Sequence, residues 1–229
     1  MKISTIRLLA PIILLIALFA IQYLGLVAEY GWCTCFYGSG NLPQKVSVLL
    51  GTHGREWSFM YTSFTGSWIH GNWEHLMGNV FSIGGLSLLF IFFIRDGWFQ
   101  FFLLQWLISG IILFFLAPIG SIHIGASTWS YSFAGFLSTL AFLHPNRKVL
   151  SLFFIICLWY GSMWWGIFPI DPRISYQGHI SGLTTGVLIA LLGRDFWLNR
   201  MFISPELPVI DSENEDPTVP VKNPYDEFQ

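Results

Sequence analysis

Apolar runs of about twenty residues recur along the chain, separated by short polar or glycine-bearing stretches. Each run is long enough to cross a ~30 Å hydrocarbon core. The pattern predicts six helical spans, roughly Leu8–Val27, Asn72–Ile94, Trp98–Leu116, Ile124–Leu143, Val149–Phe168 and Tyr176–Gly193. It therefore predicts an all-α, polytopic membrane protein whose six-helix membrane domain covers residues 1–200. Lys2 and Arg7 precede the first run, as they would in a signal peptide. Its apolar core is too long for a usual h-region, however, and Leu26-Val27-Ala28 makes a poor cleavage site, so the run reads as a retained span. Residues 28–71 form a long loop that is rich in Gly, Trp and Tyr and contains no spanning run. Its Trp32, Tyr37, Trp57, Tyr61 and Trp68 suit a membrane interface. From 201 to 229 the sequence turns to Pro, Asn, Asp and Glu, and reads as a disordered acidic tail.

Charge sets the orientation. Only 10% of the residues are charged, against about a quarter in a soluble domain. With the N-terminus in the cytoplasm, Lys2, Arg7, Arg95, Arg147, Lys148, Arg194 and Arg200 fall inside, and Lys45, Arg55 and Arg173 outside. That is a positive-inside bias, so both termini and the tail are expected in the cytoplasm and the long loop outside. A bacterial cytoplasmic membrane is the default expectation for the setting. No basic run suggests a nucleic-acid partner. Three cysteines cannot build a disulfide framework, and Cys33, Cys35 and Cys157 read as structural. Oligomeric state leaves no mark on the sequence.

Strongly polar groups inside spans are expensive and tend to face a bundle interior or a wet cavity. They concentrate on the second, fourth and sixth spans. His75 and Asn79 are four residues apart on one face of the second span, as are Ser127 and Tyr131 on the fourth. His179 lies on the sixth span, with Gly182 and Gly186 on the same face. In the assigned orientation all three spans begin at the outer surface. Ser127 and His179 then lie only ~5 Å inside the expected start of their spans, and Asn79 about 10 Å inside. Three clusters far apart in sequence thus fall in the outer part of the membrane, which points to a single hydrated site. Singly, each has a plainer reading: a serine bonding its own helix, an interfacial histidine, a glycine pair that only packs helices.

Gly125-Ala126-Ser127 resembles the G-x-S signature of the rhomboid proteases. Gly178-His179-Ile180-Ser181-Gly182-Leu183 followed by Gly186 resembles the histidine motif of that family's sixth core helix. His70, His75 and Asn79 resemble its H-x4-H-x3-N pattern. The resemblance runs from about Leu8 to Gly193, with the motifs in order and on the matching spans. It departs at Thr128, where the family usually has a second glycine after the serine.

The resemblance implies an intramembrane serine endopeptidase without metal or cofactor, acting in the lipid bilayer on transmembrane protein substrates. Ser127 would be the nucleophile and His179 its general base. The Asn79 amide, the His75 ring and the Ser127 backbone N–H would receive the oxyanion, and Tyr131 would stack on the imidazole. Gly125, Gly182 and Gly186 would support the site, and His70 would support its outer edge. General chemistry agrees, because a serine hydroxyl needs a base, and a helix N-terminus favours developing negative charge. The loop from Pro169 to Ser175 and the fifth span read as a lid, with Trp164, Trp165 and Phe168 lining a substrate gate. Thr128 leaves room for a rival reading, a proteolytically inactive relative that binds transmembrane helices for sorting or quality control. His70, Glu74 and His75 form H-x3-E-H, whose extra residue takes the first histidine off the face that an H-x2-E-H metal site needs. No internal repeat with paired broken helices suggests a transporter.

Overall fold

The computed structural model describes residues 5–30, 44–171 and 173–202. Cys33, Cys35, Trp32, Tyr37 and the acidic tail beyond Phe202 lie outside the described residues. The chain is mostly helical. Its longer helices are α1 (Thr5–Tyr30), α3 (Trp73–Phe93), α4 (Trp98–Leu116), α5 (Ser127–Leu143), α6 (Leu150–Tyr160) and α7 (Tyr176–Leu192). Two short ones, α2 (Gln44–Leu50) and α8 (Arg194–Leu198), lie in the long loop and after α7.

Among the described residues, three stretches are long and apolar enough to cross a membrane: Trp73–Phe93, Trp98–Leu116 and Arg147–Ile167. The other predicted spans fall on α1, α5 and α7. The apolar stretch of α1 is Leu8–Leu24, and α5 and α7 have 17 residues each. At 1.5 Å per residue α5 and α7 extend about 26 Å, the short end of what a bilayer requires.

Predicted boundaries and observed ones differ where the backbone has a local reason. Asn72 caps α3, its side chain accepting the His75 N–H at 2.7 Å, so the helix starts one residue later than expected. The fourth span was expected from Ile124 but begins at Ser127. Ile122–His123 instead forms a strand, β2, and Gly125 has a φ of +113°, which a helix cannot continue through. Strand β2 pairs antiparallel with β1 (Thr52–His53), so the fold carries a small sheet that an all-α reading did not include. The fifth span breaks after Tyr160, and Gly161–Ile167 continues as a 3-10 segment.

Aromatic side chains fill the core. Phe101 and Phe136 lie 4.3 Å apart, with Trp197 of α8 edge-on to Phe136 at 5.0 Å. Trp129 meets Trp68 at 4.9 Å and Phe102 at 5.1 Å, fixing the loop before α3 against α4 and α5. Large apolar residues remain exposed around the outside, among them Phe81, Phe99, Leu158 and Leu192, as lipid contact requires.

The most extensive packing joins α5 to α7. It depends on missing side chains. A Cβ on Gly182 would lie 2.0 Å from the Thr128 carbonyl oxygen, and one on Gly186 2.0 Å from that of Ser132. From the other helix, a Cβ on Gly135 would lie 2.8 Å from the Leu183 carbonyl. Small residues thus bring backbone against backbone.

A paired substitution tests this packing. Gly186→Ala must push α7 away from α5, and thermal unfolding in detergent should show a loss of about 1–3 kcal/mol. At Gly78 an added Cβ meets nothing within 4 Å, so Gly78→Ala should be neutral or stabilising by up to about 1 kcal/mol. Equal effects at the two positions would refute the close approach.

Candidate active site

Ser127 is the first residue of α5 and His179 the fourth of α7. The structure brings them together: Nε2 of His179 is 3.0 Å from Oγ of Ser127. On the other side of the ring, Nδ1 lies 2.7 Å from the Gly166 carbonyl oxygen. A carbonyl can only accept, so Nδ1 carries the proton and Nε2 is left with its lone pair towards the serine hydroxyl. Tyr131 stacks on the imidazole with ring centroids 4.1 Å apart and planes 14° from parallel. Its hydroxyl donates to the Met163 carbonyl.

Met163 and Gly166 both belong to the 3-10 segment after the break in the fifth span. That segment is therefore fixed to α5 through Tyr131 and to α7 through His179. Gly166 has no room for a side chain, since a Cβ there would lie 2.1 Å from the Tyr131 hydroxyl and 2.8 Å from Nδ1 of His179. The sequence reading missed this carbonyl. Residue types give no sign of which backbone oxygen a ring will meet.

His75 and Asn79 approach Ser127 from α3. The backbone of Gly125 lies against both: a Cβ at that position would be 2.7 Å from Nε2 of His75 and 3.6 Å from Nδ2 of Asn79. The positive φ of Gly125 and this crowding both demand glycine. Nδ1 of His75 accepts a long hydrogen bond, 3.5 Å, from the Gly71 N–H, which leaves the proton on Nε2. Nδ2 of Asn79 is buried and has no hydrogen-bond partner among the described residues. An amide donor left open in this way suits a site where an acceptor arrives during reaction.

His70 sits deeper than the expected outer edge of the site. It is fully buried, and its Nε2 accepts the Ala126 N–H at 3.1 Å, holding the residue before Ser127. Burial, and then the neighbouring His75, push the His70 imidazole down to about 3, so the ring is neutral and able to accept.

Ser127, His179, His75 and Asn79 border one open cleft of about 1120 Å³. Its walls are the start of α3 from Gly71 to Asn79, the segment Pro118–Ile124, Ser127, the loop after Pro169, and the start of α7. Polar groups line much of it, Glu74, Asp171 and Arg173 included, so water can reach the serine. The lining does not include Trp164, Trp165 or Phe168, the expected gate. These three are 40%, 70% and 50% exposed. Thr128 fits because α7 offers glycine opposite it: a Cβ on Gly178 would be 3.2 Å from Oγ1 of Thr128. No group of three or more His, Cys, Asp or Glu among the described residues is placed to hold a metal ion.

A family model described as the Rhomboid domain matches residues 58–196, a stretch that contains every residue of the cleft named above. Among curated proteins the chain is similar to the uncharacterized protein Rv1337 of Mycobacterium tuberculosis and the uncharacterized protein Mb1372 of Mycobacterium bovis. Each is 26% identical over 132 residues, 54% of this chain and 55% of the relative. The uncharacterized protein ML1171 of Mycobacterium leprae is 25% identical over 133 residues, 54% of this chain and 52% of its own. The chain spans about half the length of these relatives, whose names state no activity. Rhomboid proteins are in general intramembrane serine proteases. With the domain matched over more than half its length, and with helices long and apolar enough to cross a bilayer, this chain is an integral membrane protein of the rhomboid family.

Proposed function

We propose that this protein is an intramembrane serine endopeptidase that cuts transmembrane protein substrates near the outer membrane face. The observation that carries the reading is the chain of contacts Ser127 Oγ, His179 Nε2, His179 Nδ1, Gly166 O, at 3.0 and 2.7 Å. In this reading His179 takes the Ser127 proton as Oγ attacks the scissile carbonyl, then returns it to the leaving amine. Gly166 does for the ring what a carboxylate does in a serine triad, fixing its tautomer and direction. The tetrahedral oxyanion would be received by the Ser127 backbone N–H at the start of α5, the Asn79 amide and the Nε2–H of His75. Water for the second step would enter through the cleft.

The membrane domain then comprises six spans over residues 1–200, with α1, α5 and α7 joining the three of clear spanning length. Both termini would lie in the cytoplasm and the cleft would open outward. The basic residues support this, because Arg95, Arg147 and Lys148 lie at one end of the helices and Arg173 at the other. A substrate helix must unwind to present its peptide bond, so Gly or Pro near the cut should favour cleavage.

Cleavage of a model transmembrane substrate in proteoliposomes tests the assignment. Wild type should cut it, and Ser127→Ala and His179→Ala should each abolish the cut. A wild type as inert as Ser127→Ala would point instead to a helix-binding relative without protease activity. Asn79→Ala should lower kcat by about 10²–10³-fold with little change in KM. A KM effect alone would remove Asn79 from the oxyanion site. Tyr131→Phe keeps the stacking but loses the bond to Met163, and should cost less activity than Tyr131→Ala. The reverse order would rule out stacking as the main contribution.

A further inference from the structure

The geometry points to His123 as a positioning residue that acts through Ser175 to hold His179 in reach of Ser127. This deepens the protease reading and rests on it. His123 lies on β2, four residues before Ser127. Ser175 caps α7 four residues before His179, its side-chain oxygen accepting the Gly178 N–H at 3.1 Å. Across the gap between them, Nδ1 of His123 is 2.6 Å from Oγ of Ser175.

The bond closes a ring. One side runs along the chain from His123 to Ser127 and the other from Ser175 to His179. The two are joined at one end by the 3.0 Å contact of Ser127 with His179 and at the other by the 2.6 Å contact of His123 with Ser175. Each chain segment spans only four residues, so a shift at one joint must appear at the other. The glycine contacts at Gly182 and Gly186 hold α7 further along its length, and the His123–Ser175 bond ties its first turn to β2.

The hydrogen bonds around His123 run in one direction. The Ser121 hydroxyl donates to the Pro118 carbonyl at 2.6 Å, so its oxygen accepts from Nε2–H of His123 at 2.8 Å. Nδ1 then has a lone pair, and the Ser175 hydroxyl donates to it while accepting from Gly178. Every donor and acceptor is matched when the ring is neutral, the state that burial favours. His123 itself is anchored, since β2 pairs with β1 and the Gly125 N–H bonds the Gly66 carbonyl at 3.0 Å.

The test uses the full chain in proteoliposomes, with kcat and KM measured separately on the model substrate. His123→Phe keeps the ring volume and loses both nitrogens. Its kcat should fall about ten- to a hundredfold, as small misplacements of reacting groups do, with KM within about twofold. His123→Gln, which offers a donor and an acceptor, should recover most of the loss. Ser175→Ala should reduce kcat similarly, and the double variant His123→Phe/Ser175→Ala should be no worse than the poorer single one. Wild-type kcat in His123→Phe, equal losses in the Phe and Gln variants, or additive effects of the two sites would each overturn the proposal. Should His123→Phe show no unfolding transition in detergent, Ser175→Ala and His123→Gln decide it: an unchanged kcat in Ser175→Ala overturns it. A wild type with no Ser127-dependent cleavage would fail the protease reading itself. Normal wild-type cleavage beside an unaffected His123→Phe would fail the tether alone.

Discussion

Where α7 crosses α5 there are no side chains in the way, and carbonyl oxygens of one helix face α-carbons of the other. Gly182 against Thr128, Gly186 against Ser132 and Gly135 against Leu183 set this contact. A lipid bilayer gives no hydrophobic push between helices, so dispersion over such a close interface has to hold them. Chemistry follows from that distance. The close approach of α5 and α7 fixes the helix starts that carry the serine and the imidazole. Thr128 is tolerated under the same constraint, because the glycines of α7 leave it space.

The second constraint is electrostatic. A carboxylate buried beside the histidine would be costly at membrane depth. The ring is oriented instead by the Gly166 carbonyl and the face of Tyr131, both neutral. The break that ends α6 after Tyr160 makes this possible, since the 3-10 segment turns its carbonyls towards α5 and α7. Around the cleft the other histidines behave the same way. His70 and His123 are buried and neutral: His70 accepts the Ala126 N–H in front of Ser127, and His123 bonds Ser121 and Ser175.

Much of this was legible in the sequence, and for identifiable reasons. Apolar length marked Trp98–Leu116 to the residue, and the spacing of His75 from Asn79 and of Ser127 from Tyr131 placed each pair on one face. Glycines beside His179 signalled close packing. What stayed hidden was backbone. The Gly166 carbonyl, the pairing of Thr52–His53 with Ile122–His123 and the bend at Gly125 depend on φ, ψ and long-range register, which residue types do not encode locally. Trp164, Trp165 and Phe168, expected at a gate, are exposed and lie outside the cleft lining, where aromatic residues serve lipid contact equally well. His70 was recognisable as part of the site, but its partner, the Ala126 N–H, was not.

Reaction with a fluorophosphonate, followed by peptide mass mapping, tests most directly whether His179 activates Ser127. The account predicts a single adduct on Ser127 in the membrane-reconstituted wild type, and none in His179→Ala. An adduct that forms equally well without His179, or one that leaves Ser127 unmodified and appears elsewhere, would contradict it.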